Sequence, residues 1–357
     1  MEYQGNNGMC PWRRYLARGL DLSICGLMWN AVFMLVLHGN PARGDIRLMS
    51  QVLNILAGMG LMLLAEPWLL HWFGTTPGKA VFGIRICRED GDFLTVRQGF
   101  ARTWQVIRDG QGFQIPIYSW IRLYKSYRTC AEDGKMPWDY QMIYTVKEPK
   151  WYRWLLYAAG EGAVFAGLIF IILAAEIPPN RGELTVAEFA ENYNFLSDYY
   201  GYHSNYRLAP DGSWEENPED NTVVVMEVLD LEKRPEFAYE IEAGVLVGLS
   251  FQLEGSEDDM IYSRETQMLL SALAYAGSQK GISVLGGERQ RIVKEITQSG
   301  WKSFACTLGD VSVSCVREQE GYHEMDGYFC LIPDESARRR AYRMVFEMRK
   351  TGKEYQD

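Results

Sequence analysis

The sequence is poor in the residues that most enzymes use for catalysis and metal binding. It has four histidines, and its seven cysteines show no CxxC pair or other metal-ligand spacing. No serine or cysteine lies in the surroundings of a nucleophile elbow. We therefore expect no metal, no cofactor and no enzymatic activity.

The chain also has fewer basic than acidic residues, and this difference lies in one half of the chain. The 357 residues carry 36 Lys and Arg against 46 Asp and Glu, which gives a net charge of −10. Such a surface repels nucleic acid, so no nucleic-acid partner is expected. Residues 1–175 hold 18 basic and 13 acidic side chains, whereas residues 176–357 hold 18 and 33. The chain is too long for one ordinary domain, and this shift predicts a basic front and an acidic back.

Three apolar stretches in the front half are long enough to cross a lipid bilayer. Crossing about 30 Å of hydrocarbon takes roughly 20 mostly apolar residues. The stretches are residues 22–38, 51–73 and 154–175. Extended to their flanks, they predict helices over residues 15–38, 51–73 and 151–177. The uncharged residues 110–121 are too short to span and are predicted to be re-entrant or interfacial.

The flanking charges predict the topology. Arg13, Arg14 and Arg18 precede the first helix, and residues 74–150 hold 12 Lys and Arg, so both lie on the cytoplasmic side by the positive-inside rule. A cleaved signal peptide is disfavoured, because no small-residue cleavage site follows the first run. We predict a multi-pass plasma-membrane protein of a prokaryote, with a cytoplasmic N-terminus and an extracytoplasmic domain over residues 178–357.

A turn motif follows the second helix. It consists of Gly74, Thr75, Thr76, Pro77, Gly78 and Lys79, with Gly-Ile-Arg-Ile at residues 83–86. Two glycines and a proline impose a sharp turn, while the threonines and Lys79 can satisfy free carbonyls or lipid phosphates at the interface. The spacing is not that of a Walker loop, which needs GxxxxGK followed by Ser or Thr after a buried strand.

This turn resembles the signature of the RDD family of membrane proteins. Arg14 and Asp21 match the pattern that opens the family's first helix, and residues 97–102 are similar to its amphipathic stretch. Asp139 matches the family's second aspartate, although Trp138 stands where a histidine is usual. The resemblance covers residues 1–146 and implies an RDD-like membrane domain over residues 1–150. Some relatives have been linked to sodium and proton exchange.

Charged residues near or within the apolar helices define the candidate site. Arg18 and Asp21 are three residues apart, close enough to pair. Glu66 and Glu161 lie inside predicted helices, where an acidic group costs roughly 2.5–3.5 kcal/mol unless it is paired or hydrated. We expect these two glutamates to face one polar cavity.

Two functional hypotheses follow. In the first, the membrane domain is a transporter in which charged residues line a path for protons or small cations through a homo-oligomer. The proposed residues are Arg14, Asp21, Glu66, Asp139 and Glu161. In the second, the membrane domain is an anchor, and the outer domain binds a ligand or a partner protein.

The acidic half predicts a soluble α+β domain. Predicted helices cover residues 185–200, 262–276, 287–298 and 335–350. Predicted strands cover residues 206–208, 222–228, 237–241, 245–253, 302–307, 311–317 and 327–332. The last three are expected to form one antiparallel set, and the order of elements hints at a duplicated α+β unit. The sequence leaves open whether Cys306, Cys315 or Cys330 forms a disulfide.

Overall fold

The computed structural model divides the chain into two compact units, residues 1–172 and 173–357. The residues that it describes are 11–41, 47–132, 136–139, 142–146, 150–202, 206–217, 234–255, 259–325 and 330–351.

Three helices in the front half of the chain are long and apolar enough to cross a membrane. They are α1 (Pro11–Ala31), continued by a π-helical turn to Val36, α2 (Arg47–Phe73) and α6 (Tyr152–Ala175). The candidate spans are Pro11–Val36, Leu48–Phe73 and Tyr152–Ala175. The prediction of three spanning segments in this region is confirmed by length and composition.

The chain between the second and third spans forms short elements. In chain order they are α3 (Pro77–Val81), β1 (Ile84–Arg88), α4 (Val96–Gln105), α5 (Tyr118–Glu132) and β2 (Met142–Val146). β1 and β2 form an antiparallel pair in which Ile84 faces Val146. A π-helical turn and a 3₁₀ turn lie between α4 and α5, so residues 110–121 contain no helix of spanning length.

Helix α4 begins at a capping box and packs closely on α2. Thr95 accepts a hydrogen bond from the Gln98 amide, and the Gln98 side chain accepts one from the Thr95 amide. A Cβ added to Gly99 would lie 2.8 Å from the Cα of Pro67 in α2. Glycine at this position therefore allows the backbones to approach.

The second unit is an α+β domain built on a five-stranded antiparallel sheet. Its helices are α7 (Val186–Tyr200), α8 (Glu265–Ala274) and α9 (Glu288–Ser299). The sheet contains β5 (Ala238–Glu242), β6 (Val245–Gly255), β8 (Phe304–Leu308), β9 (Val311–Glu320) and β12 (Ala341–Lys350). Its strand order is β5-β6-β12-β9-β8. The α7, α8 and α9 helices and one face of the sheet enclose the core, which includes Phe189, Tyr275, Phe251 and Phe346.

Small sheets complete the second unit. One pairs β3 (Tyr206–Leu208) with β4 (Trp214–Glu216). The other has the order β10-β11-β7 and contains β7 (Ile261–Tyr262), β10 (Tyr322–Glu324) and β11 (Cys330–Pro333).

Two predictions for this unit are wrong, and one part lies outside the described residues. The predicted helix over residues 335–350 is largely the strand β12, central in the sheet. The last three predicted strands do not form one set, because β11 pairs with β10 and β7 rather than with β9. The predicted strand at residues 222–228 is not among the residues described.

The cysteines of the second unit are free thiols. Cys306 faces Val313 and Cys315 faces Phe304, so the two cysteines are offset in the β8–β9 pair, as the sequence predicted. Cys306, Cys315 and Cys330 are all unbonded to other cysteines in the described structure.

Candidate functional site

The turn motif packs directly against the first helix. Thr76 caps the short helix α3, and Pro77 occupies its first turn, where a missing N–H costs nothing. The Gly78 amide donates a hydrogen bond of 2.7 Å to Asp21 Oδ1. A Cβ added to Gly78 would lie 2.0 Å from the carbonyl oxygen of Ala17. Only glycine therefore permits this approach of the turn to α1.

Asp21 fixes the turn through both of its carboxylate oxygens. Oδ1 accepts from the Gly78 amide, and Oδ2 accepts from the Thr76 hydroxyl. The Lys79 ammonium lies 3.5 Å from Oδ2. A buried carboxylate needs several donors to offset its lost hydration, and the turn supplies them.

Glu66 pairs with three cationic side chains. It lies in α2, directly before Pro67, and only 2% of its surface is exposed. Its oxygen Oε2 accepts a hydrogen bond from Arg18. Its other oxygen, Oε1, lies 2.8 Å from Lys79 Nζ and 3.2 Å from Arg102 Nη1.

Asp139 joins the same group of charges through Arg102. Asp139 Oδ2 pairs with Arg14 in α1, and its Oδ1 lies 3.4 Å from Arg102 Nε. Because Arg102 contacts both Glu66 and Asp139, the ion pairs form one connected set. We name this set the charge network; its residues are Arg14, Arg18, Asp21, Glu66, Lys79, Arg102 and Asp139.

A cavity of about 500 Å³ adjoins the charge network. The network residues that line it are Arg14, Arg18, Lys79 and Arg102, and no aspartate or glutamate is among its lining residues in the described ranges. The rest of the lining is largely apolar and aromatic: Trp12, Tyr15, Ile84, Val106, Leu123, Tyr124, Tyr127, Cys130, Met136 and Trp138. The cavity therefore has cationic groups along an otherwise apolar wall.

Two lining residues carry buried polar atoms that lack a partner in the described structure. Arg18 uses Nη1 to bind Glu66, while its Nε and Nη2 are buried without a hydrogen bond. The side-chain oxygen Oε1 of Gln111 is likewise buried and unsatisfied. Leaving such a group without a partner costs about 1–3 kcal/mol, and more when it is charged. Because both side chains line the cavity, a small rotation of either one would bring these atoms to a ligand.

The family model of the RDD family matches residues 10–183. The front half of the chain belongs to the RDD family. The match extends beyond residues 1–146 and includes α6, so the third candidate span is part of the RDD domain. No curated protein and no solved structure matches the chain.

The structure brings most of the predicted RDD residues together. Arg14, Asp21, Glu66 and Asp139 all belong to the charge network. Glu161 does not: it is half-buried in α6, one turn after Tyr157. In the described residues no ion pair connects Glu161 with the charge network, and neither Glu66 nor Glu161 lines the cavity.

The pairing differs from what local spacing indicated. Arg18 pairs with Glu66 rather than with Asp21, and Lys79 is buried between Glu66 and Asp21, whereas the sequence predicted that it satisfies free carbonyls or lipid phosphates at the interface. The sequence reasoning missed Arg102 as a site residue. Its one signal was its place in residues 97–102, the stretch that is similar to the RDD family.

Proposed function

We propose that the RDD domain is a membrane-embedded binding module for an anionic ligand, with the cavity as its binding site. One observation carries the proposal: the charged side chains that line the cavity are all cations, while Asp21, Glu66 and Asp139 pair with them from outside the lining. An anion in the cavity lies beside the side chains of Arg14, Arg18 and the neighbouring cations. A cation there would be repelled, because the apolar wall strengthens charge interactions. The proposal is one of binding, without a catalytic step.

The cations lie at one end of the candidate spans. Arg14 and Arg18 lie in the first turns of α1, and Lys79 follows the last residue of α2 by six positions. The headgroups of a bilayer and their counterions lie at this depth. By the positive-inside rule we place this end on the cytoplasmic side and the acidic domain outside. Reporter fusions at residues 45, 115 and 250 test that orientation, and a cytoplasmic signal at 250 would reverse it.

The test of anion binding compares two water-soluble aromatic ions of similar size. Naphthalene-1-sulfonate is an anion, and 1-naphthylmethylammonium is a cation; each would be titrated into the purified full chain in neutral detergent by calorimetry. We expect saturable binding of the sulfonate only. Equal affinity for the two ions would contradict the proposal, and so would the absence of binding by either ion.

A matched pair of variants locates the binding. Arg14→Gln removes one lining cation, and Asp139 keeps its contact with Arg102. Arg128→Gln removes an exposed cation of α5 that does not line the cavity. We expect R14Q to weaken sulfonate binding several-fold and R128Q to leave it unchanged. If R14Q and R128Q bind the sulfonate with the same affinity, the binding site lies elsewhere in the chain.

The second candidate function is the path for protons or small cations. The observation that favours it is the connected run of buried carboxylates, in which Glu66 and Asp139 share Arg102. Its test is ion flux in vesicles that contain the full chain. Flux that is lost in Glu66→Gln but kept in Glu132→Gln, an exposed glutamate of α5, supports the path. Flux that survives E66Q would exclude a role for this carboxylate.

Residues 178–357 supply a third candidate, the binding of an extracytoplasmic ligand or protein. This unit has its own core and a five-stranded sheet, as a separate binding domain requires. Its strong acidity predicts a basic ligand or partner. The full chain should then retain a cationic probe such as polylysine in a salt-dependent manner, and a chain that ends at residue 177 should not.

A further inference from the structure

We infer that the anion held in the RDD cavity is the phosphate headgroup of an anionic membrane lipid, one with no compensating positive charge in its headgroup, bound at Arg18 with its acyl chain along the aromatic wall. This inference rests on the proposed anion site and names the class of its ligand. A free phosphate ion shares the headgroup chemistry, so the experiment separates the two sources.

The unsatisfied edge of Arg18 selects a ligand with two adjacent oxygens. Nη1 of Arg18 is engaged by Glu66, which leaves Nε and Nη2 without partners in the described structure. These two nitrogens form one edge of the planar guanidinium, and their N–H bonds point in parallel. That fork matches two oxygens of a phosphate or carboxylate in a bidentate contact. Glu66 holds the guanidinium in place, so little side-chain freedom is lost on binding.

The other lining cations favour a phosphate over a carboxylate. Lys79 and Arg102 are fixed by the same carboxylate as Arg18, and Arg14 by Asp139. The cavity is therefore lined by cations that come from three elements, α1, α3 and α4. A tetrahedral phosphate presents oxygens in several directions, whereas a carboxylate presents two in one plane.

The apolar part of the cavity requires a ligand with a hydrocarbon body. Apart from its cations, the lining is dominated by aromatic and aliphatic side chains, such as Tyr127, Leu123 and Met136. An inorganic ion would leave this wall without contacts. An acyl chain buries this wall. Each CH₂ group removed from water stabilises the complex by about 0.8 kcal/mol.

The aromatic residues at the cavity lie where a lipid can approach. Trp12 in the first turn of α1 is exposed, and its ring lies 6.0 Å from Tyr127 of α5 and 6.4 Å from Tyr15. On α5, Tyr124 is exposed, as is Trp120 one turn before it. Exposed tryptophan and tyrosine favour the headgroup depth of a bilayer. A lipid of the surrounding leaflet can thus reach the cavity along this aromatic surface.

The experiment measures which lipid the full chain retains. The chain would be reconstituted in nanodiscs of phosphatidylcholine that contain a minority of phosphatidylglycerol, then released and examined by native mass spectrometry. We expect one phosphatidylglycerol to remain bound in preference to the zwitterionic lipid. Equal retention of both lipids would overturn the inference.

Variants test the Arg18 fork while keeping the charge. Arg18→Lys retains the positive charge beside Glu66 but lacks the Nε–Nη2 edge, and we expect phosphatidylglycerol retention to fall by about ten- to hundredfold. Arg128→Lys makes the same exchange on an exposed residue and should retain the lipid. If R18K fails to fold by circular dichroism, Tyr127→Ser trims the aromatic wall without touching a charge, and its retention should also fall. Unchanged retention in a folded variant would contradict the inference.

Two further measurements distinguish a failure of the lipid inference from a failure of the proposed anion site. Addition of inorganic phosphate should not displace the lipid; displacement at millimolar phosphate would assign the site to the free ion. Binding of naphthalene-1-sulfonate without selective lipid retention would overturn the lipid inference and leave the anion site in place. If the chain neither binds naphthalene-1-sulfonate nor retains the lipid selectively, the inference and the proposed function are both overturned.

Discussion

At the scale of single residues, Gly78 determines how closely the turn after α2 approaches α1. We expect Gly78→Ala to destabilise the fold, because the new methyl group would lie 2.0 Å from the Ala17 carbonyl oxygen. The overlap must push the turn away and weaken the hydrogen bond to Asp21. Overpacking costs about 1–3 kcal/mol and the loss of a hydrogen bond to a charged group about 1.5–3 kcal/mol, so we expect a loss of several kcal/mol.

A matched glycine in α1 provides the control for this prediction. A Cβ on Gly19 would meet nothing within 4 Å. Gly19→Ala should therefore be neutral or stabilise the helix by about 0.5–1 kcal/mol. Thermal unfolding of both variants in the same detergent checks the pair, and equal stability of G78A and the parent would show that the turn does not pack as described.

The sequence predicted the residues of the site better than it predicted their ion-pair partners. Arg14, Asp21 and Asp139 were found because the resemblance to the RDD family marks them. Their partners depend on where α1, α2 and α4 meet, which residue spacing within one helix does not contain. Arg18 therefore pairs with Glu66, 48 residues away, although Asp21 is only three residues away. Arg102 was missed for the same reason, since nothing local shows that it is buried between two carboxylates.

At the scale of elements, β12 illustrates a conflict between composition and periodicity. Residues 335–350 are rich in Ala, Arg, Met and Glu, which favour helix, and a helix was predicted here. The alternation of buried Tyr342, Met344, Phe346 and Met348 has the period of a strand. Pairing with β6 and β9 on both sides places this strand in the middle of the sheet, where its alternate side chains enter the core. Tertiary packing thus overrides the helix propensity of these residues.

Helix α7, in contrast, was predictable because its start is encoded locally. Thr185 accepts a hydrogen bond from the Glu188 amide, and the Glu188 carboxylate accepts one from the Thr185 amide. Leu184 and Phe189, which flank this capping box, are buried in the domain core. The Leu184 carbonyl also accepts a hydrogen bond of 2.7 Å from Leu246, which ties the start of the helix to β6.

We expect Thr185→Ala to destabilise the second unit by about 1 kcal/mol, because the cap is lost while the packing remains. In a unit of this size, that loss lowers the melting temperature by about 2–4 °C. Thr185→Ser keeps the hydroxyl and should melt close to the parent. Calorimetry of the full chain measures both, and an unchanged melting temperature in T185A would mean that the capping box does not contribute to stability.

At the scale of the whole molecule, the two units differ in how they treat buried polar groups. The RDD domain buries acidic and basic side chains and balances them within the charge network, whereas the second unit buries several tyrosines together with Arg264 and Arg289. Burial raises the pKa of Tyr199 and of Tyr342 to about 12. Burial also raises the pKa of Tyr193, Tyr200, Tyr239 and Tyr275. These phenols favour the neutral form in the folded unit.

The raised pKa values predict that the second unit unfolds in alkali. An unfolded tyrosine has a pKa of about 10, so the folded state binds more protons than the unfolded state between about pH 10 and 12. The stability from these phenols is complete below about pH 10 and is lost as the pH rises through the folded pKa values. As the pH is raised, we expect part of the phenolate absorbance to appear only when the circular dichroism signal of the folded chain is lost. In guanidinium, where the chain is unfolded, all tyrosines should ionise in one step near pH 10. Complete titration near pH 10 with the fold intact would show that these side chains are open to water.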